Sequence, residues 1–232
     1  LRKVFGNKVA VDNLSLTIEE GSLFALLGVN GAGKTTTIRM LTGLSEPTAG
    51  EATMMGYSIT KDLDKVKELA NLSPQETSIA PNLTVRENLE FFAGIYGMDK
   101  KTIKIQVENM LAQFSMDEVA DNKAKTLSGG WQRKLSIAMA LITEPKVLFL
   151  DEPTLGLDVL ARRELWREIE ALKEKITIIL TTHYMEEAEA LADRIAVMAK
   201  GKLMAVGTVE ELKAQTGTER LEDAFVKIVE EQ

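Results

Sequence analysis

Apolar residues along this chain fall into two rhythms, short unbroken runs and repeats of three to four, and these alternate. Ser22-Leu23-Phe24-Ala25-Leu26-Leu27 is a run of the kind a strand buried on both faces needs, and over 35–44 Ile38, Met40, Leu41 and Leu44 recur at roughly helical spacing. Val147-Leu148-Phe149-Leu150, punctuated by Pro145 and Pro153, predicts a second central strand. Asp158 is placed to cap a helix whose Leu165, Ile169 and Leu172 share one face. A strand from Thr177, a helix over 185–192 and a hairpin of 195–198 with 202–206 about Lys200-Gly201 follow. Near the start, 9–18 alternates in strand fashion and predicts an antiparallel sheet within 3–19. Thr84-Val85-Arg86-Glu87 reads as a capping box opening a helix that stops near Gly94 to Gly97, and Thr208-Val209-Glu210-Glu211 reads as another. A helix over 101–114 and one from Trp131 to about 143 complete an all-helical insert over 82–143. Strands alternating with helices predict an α/β fold with a mainly parallel sheet.

Length and composition narrow this picture. At 232 residues, one domain with an inserted subdomain is expected: a core over 1–81 and 144–207, the helical insert over 82–143 and a helical tail over 208–232. With 45% apolar and 27% charged residues a normal core can form. Cysteine is absent, which removes disulfide and thiolate-metal chemistry and fits a reducing cytosol. No signal pattern and no run long enough to cross a bilayer is present, and because the chain begins at Leu1 rather than Met a short preceding piece is expected. A net charge of −7 without a Lys/Arg cluster argues against nucleic acid as a partner, so any anion must be held by a local field.

That local field is found at Gly28-Val29-Asn30-Gly31-Ala32-Gly33-Lys34-Thr35, which matches the P-loop pattern between a strand and a helix. Its glycines let amide N–H groups turn inward, and together with the helix N-terminus these hold phosphate oxygens. Asn30, Gly31, Ala32, Gly33, Lys34, Thr35 and Thr36 are the expected phosphate ligands, Lys34 as a point charge and the Thr35 hydroxyl as a ligand of Mg²⁺. At the end of the 147–150 strand, Asp151 fits a magnesium-contacting acid and Glu152 a general base for the attacking water. A second glycine turn, Leu127-Ser128-Gly129-Gly130, stands directly before a helix, where Ser128 is a good N-cap and the amides behind it form an anion cradle.

In this order the motifs resemble the ATP-binding subunit of an ABC transporter, with a P-loop NTPase core, an N-terminal antiparallel β subdomain and the helical insert. Ser128-Gly129-Gly130 resembles the family signature, with Asp151 following Ser128 by 23 residues. Pro153-Thr154-Leu155-Gly156-Leu157-Asp158 resembles the D-loop, Gln75 the Q-loop glutamine and His183, the one histidine, the switch histidine. Phe5 stands where the family places an aromatic that stacks on adenine, a π-face with little base selectivity, so GTP is an expected alternative. Two departures stand out, Trp131 in place of the commoner Gln and Phe5 in place of Tyr. The resemblance implies head-to-tail pairing, the Ser128 segment of one domain closing over MgATP on the P-loop of the other. It also implies that Glu152, His183, Gln75 and Lys34 serve hydrolysis, that Thr35, Gln75 and Asp151 serve the metal, and that Asp158 reaches the shared site. The implied partners are a second nucleotide-binding subunit and a transmembrane permease at the cytoplasmic face of the membrane. Phe91, Phe92, Tyr96 and Met98 are candidates for the permease contact, although at least two of the four are expected in the insert's own core. Leu221-Glu222-Asp223-Ala224-Phe225 resembles an element of drug-, lipid- and sodium-exporter ATPases and implies export.

Two other classes fit the sequence less well. A chromosome-type ATPase needs a long coiled coil between P-loop and signature, and here only 94 residues separate Lys34 from Ser128. Translation-type members carry two cassettes and a basic linker. A P-loop kinase or GTPase leaves the Ser128 helix start without a purpose.

Overall fold

The computed structural model describes residues 1–173 and 175–230; residues 231 and 232 of the expected tail lie outside that range. The sheet at its centre is built from the runs of the sequence: β3 (Leu23–Leu27), β6 (Ala70–Ser73), β7 (Val147–Asp151), β8 (Thr177–Thr182), β9 (Arg194–Ala199) and β10 (Lys202–Gly207). Their order across the sheet is β10-β9-β3-β8-β7-β6, parallel except for β10, which returns antiparallel on β9 as the hairpin pattern predicts. Two short antiparallel ladders stand apart, β1 (Lys3–Phe5) with β2 (Lys8–Val11) and β4 (Thr53–Met54) with β5 (Tyr57–Ser58).

Successive strand residues feed opposite faces, so each apolar run serves two cores. Phe24, Leu26, Val147, Phe149 and Ile179 pack with Val11 of β2, with Ile38 and Met40 of α1 (Lys34–Leu41) and with Val66 of α2 (Leu63–Leu69). Leu23, Ala25, Leu27, Leu148, Leu150, Ile178 and Leu180 face the other way, towards α3 (Val85–Ile95), α4 (Lys100–Gln113), α5 (Gly129–Leu141), α6 (Val159–Glu170), α7 (Met185–Leu191), α8 (Val209–Thr216) and α9 (Leu221–Glu230). The helix after Ser128 therefore belongs by contact to two neighbourhoods: it packs on α3 within the helical segment and on β6 and β7 of the sheet.

Some expectations need correction. The alternation over 9–18 forms a strand only to Val11; beyond it Leu14, Leu16 and Ile18 still point inward while Asn13, Ser15 and Thr17 stay outside, but no ladder pairs them. The helix expected over 35–44 ends at Leu41, where Thr42 closes it and Gly43 turns away at φ 72°. The hairpin β4–β5, helix α2 and strand β6 were not foreseen. As expected for at least two of the four, Phe92 and Met98 pack against the core, whereas Phe91 and Tyr96 remain exposed.

Both capping boxes form. The Thr84 hydroxyl accepts from the Glu87 N–H at 3.1 Å while the Glu87 carboxylate accepts from the Thr84 N–H at 2.8 Å. Replacing Thr84 with Ala removes one half of this pair, and urea denaturation should show a loss of about 1 kcal/mol.

Candidate functional site

The loop between β3 and α1 turns on Gly31 and Gly33, at φ 82° and 102°. A Cβ on Gly33 would lie 2.7 Å from the Ala10 carbonyl oxygen, so the loop can lie against β2 only with glycine there. Lys34 opens α1 and folds back over the loop, almost wholly buried. Its Nζ donates to the Gly28 carbonyl at 2.6 Å and lies 3.1 Å from Glu152 Oε1. A buried ammonium and a buried carboxylate thus neutralise each other.

The two acids are set by the β7–β8 pairing, which aligns Asp151 with Thr181. The Thr181 hydroxyl donates to Asp151 Oδ1 at 2.5 Å and accepts from the Glu152 N–H at 3.0 Å, and the Thr181 carbonyl accepts from the same N–H at 3.1 Å. Glu152 turns out of the strand at φ 48°, a conformation uncommon for a non-glycine residue, which swings its carboxylate back towards the loop. Its Oε2 then lies 2.7 Å from His183 Nδ1. The Thr35 hydroxyl donates to Asp151 Oδ1 at 3.0 Å. No motif points to Thr181, which is wholly buried with Thr182 at the end of β8.

Lys34, Thr35, Glu152 and His183 line a cavity of about 410 Å³ together with Lys8, Ala10, residues 30–33, Thr36, Gln75 and Leu155; Asp151 is not in its lining and is joined to it through the Thr35 hydroxyl. Phe5, Ser128, Gly129, Gly130 and Asp158 do not line it. Phe5 is exposed beside it, paired in register with Lys8 and covered on one face by Lys3 Nζ at 4.9 Å. Ser128 caps α5, accepting from the Trp131 N–H at 3.5 Å, and Gly130 packs so closely on α6 that a Cβ would sit 3.2 Å from that of Ala161. The amides of that first turn have no acceptor within their own helix. Asp158 accepts from the Leu160 and Ala161 N–H groups at 2.9 and 3.0 Å and so caps α6. Thr35, Asp151 and Gln75 offer hydroxyl, carboxylate and amide oxygen, an all-oxygen set suited to a small hard dication whose shell is completed by water and phosphate.

A family model described as ABC transporter matches residues 11–155. The chain belongs to the ABC transporter family. It is 46% identical over 94% of its length to the human "Phospholipid-transporting ATPase ABCA3" and 39% identical over 99% to the "Probable multidrug ABC transporter ATP-binding protein YbhF" of Escherichia coli. It is also 39% identical over 95% to "Daunorubicin resistance ATP-binding protein DrrA3" of Streptomyces coeruleorubidus. It spans 13% of the human relative, 40% of the E. coli one and 70% of the Streptomyces one. Among solved structures it resembles an ATP-binding subunit of an ABC transporter, with TM-score 0.86 and 28% identity over 98% of this chain and 96% of that one. A dimeric ATP-binding cassette in a post-hydrolysis state with ADP and Pi superposes with TM-score 0.79 and 25% identity over 89% and 94%. This is an ABC ATP-binding domain with the α/β fold expected of it, and among the described residues no helix is long and apolar enough to cross a membrane.

Behind the ABC site lies a further buried acid. Glu187 of α7 accepts from Trp166 Nε1 at 3.0 Å, and its other oxygen has no partner among the described residues. Burial holds its pKa above the ordinary carboxylate range, and nearby Glu152 adds to this, against the Trp166 N–H.

Two expectations arise. Lys34→Met leaves the Glu152 charge buried without its counter-ion and should cost about 3 kcal/mol in urea denaturation, much of it regained in the Lys34→Met/Glu152→Gln double variant. An acid whose pKa is raised in the fold holds its proton more tightly there than in the unfolded chain. Stability is then lost as pH climbs from the unfolded value towards the raised one. Glu187→Gln, permanently neutral, should match the wild type most closely at the acid end and become progressively the more stable as pH rises.

Proposed function

We propose that this domain is the ATP-hydrolysing motor of an exporter and that each nucleotide site is completed by a second copy or a near relative, paired head to tail. The observation that carries this reading is the position of the Ser128 helix start: exposed, capped, with free amides, and outside the cavity that holds Lys34, Glu152 and His183. Within one chain it has no phosphate to meet; presented by a partner it faces the γ-phosphate.

In the closed site Asn30 to Thr36 wrap the triphosphate with backbone amides, and Lys34 exchanges Glu152 for the β- and γ-phosphates. Thr35, Asp151 and Gln75 would hold a magnesium ion, which would supply positive charge to offset that of the phosphates. Glu152, freed from Lys34, accepts a proton from water as its oxygen bonds to the γ-phosphorus and the bond to ADP breaks. His183, already on Glu152, orients that carboxylate and donates to the γ-phosphate. Phe5 stacks on the base, Ser128, Gly129 and Gly130 cover the γ-phosphate from the partner, and Asp158 sits at the seam between the copies. A separate transmembrane permease docks on the helical segment, where Phe91 and Tyr96 are exposed, at the cytoplasmic face of the membrane. Relatives named for multidrug transport, daunorubicin resistance and phospholipid transport support export as the direction.

Glu152→Gln with MgATP should elute as a dimer by light scattering. Adding Ser128→Arg should return a monomer that still binds ATP by calorimetry. A Glu152→Gln chain that stays monomeric while saturated with MgATP sinks the shared-site reading.

A further inference from the structure

Strand β6 carries polar residues on the face it turns to α5, and each is met by a polar group at helical spacing. Asn71 Nδ2 donates to the Ala140 carbonyl at 3.0 Å and to the Thr143 hydroxyl at 2.7 Å, and its Oδ1 accepts from the Tyr96 hydroxyl at 2.7 Å. Two residues on, the Ser73 and Ser136 hydroxyls are 3.0 Å apart. At the end of the strand the Arg133 guanidinium, almost wholly buried, donates to the Pro74 carbonyl at 2.6 Å and to the Gln75 carbonyl. The period of two in the strand thus matches one face of the helix, through residues 71, 73 and 75 against 140, 136 and 133.

An apolar contact would tolerate sliding between strand and helix. A buried polar seam does not, because a shift of one residue leaves several donors and acceptors unpaired in a dry setting. Its outer end is the backbone of Gln75, and the helix it grips begins at Ser128. Burial lowers the Arg133 pKa, opposed by the charges of Asp151 and Glu187, so those acids favour the guanidinium as a cation.

We propose that Arg133 is a positioning residue that locks the Gln75 loop to the Ser128 helix, so that the group a copy presents to its own nucleotide and the segment it presents to its partner's move as one piece. This rests on the roles given above to Gln75 and Ser128. Arginine is suited to the task because its rigid planar fork fixes the directions of two N–H groups on successive carbonyls, whereas an ammonium is a rotatable point donor.

The test compares Arg133→Met and Arg133→Lys, with a Ser73→Ala/Ser136→Ala pair in case the first does not fold, since removing both members of a hydrogen bond disturbs stability least. In Arg133→Met, kcat should fall about tenfold or more while ATP affinity by calorimetry holds, a displacement effect rather than a binding one. Arg133→Lys should recover only part of it, and the serine pair should lower kcat in the same sense by less. Without turnover, in a Glu152→Gln background, Arg133→Met should raise the MgATP concentration for half-maximal dimer formation about tenfold. Wild-type kcat and dimerisation in Arg133→Met overturn the proposal, as does unchanged kcat in the serine pair. If Glu152→Gln alone fails to dimerise, it is the shared-site reading that fails.

Discussion

The ammonium of Lys34 is buried, and a buried cation must be matched wherever the loop goes. Here it is matched by Glu152 and by the Gly28 carbonyl. A triphosphate competes for the same cation. In the proposed mechanism, as phosphate oxygens take Lys34, Glu152 loses that counter-ion, keeps only His183, and is left free to face the water. In the proposed mechanism the base therefore becomes fully available only once the substrate is seated.

That arrangement needs backbone placed to within a few tenths of an ångström, and the parallel pairing of β7 with β8 supplies it. Thr181 is bonded to the side chain of one acid and the amide of the next, so Asp151 and Glu152 cannot be adjusted independently. The unusual turn at Glu152 is held by these bonds and by its two side-chain partners, Lys34 and His183. Conformational cost at one residue is spread over a rigid sheet that is apolar on both faces, where few alternative packings exist.

The phosphate loop, the acidic strand end and the two capping boxes were legible in the sequence because each rests on a local rule: glycine where φ is positive, an apolar run where both strand faces are buried, threonine with glutamate three residues on. Strand β6 was not, because Ala70-Asn71-Leu72-Ser73 is only a four-residue alternation without an unbroken apolar run. Its polar residues are buried, 8% exposed for Asn71 and 1% for Ser73, and are satisfied by α5, which lies 60 to 70 residues away in the chain. Residues 12–18 show the converse: the alternation correctly reports which side chains face inward but carries no information on whether a neighbouring strand exists to pair with. Arg133 and Thr181 escaped for the same reason. Their partners are backbone and side-chain atoms distant in sequence, and no spacing rule points to them.

Charge supports the proposed sharing of each nucleotide site between two domains. The domain carries a net charge of −7, and Glu152 stands in the same cavity as Lys34 and Lys8. A magnesium triphosphate adds anionic oxygens to a site whose principal buried cation is already half committed. In the proposed mechanism the γ-phosphate is held on its loop side by backbone amides and Lys34, and charge that develops on its far side during transfer meets solvent unless another donor set arrives. A helix N-terminus provides such donors without adding a full charge or a flexible side chain, and its partial positive end is strongest when water is excluded. The start of α5 has that composition, with Ser128 closing the cap and two glycines leaving the amides uncovered. Bound to α6 and, through Arg133, to the Gln75 loop, it is a rigid donor whose aim is fixed by the rest of the fold, which is the property electrostatic preorganisation requires.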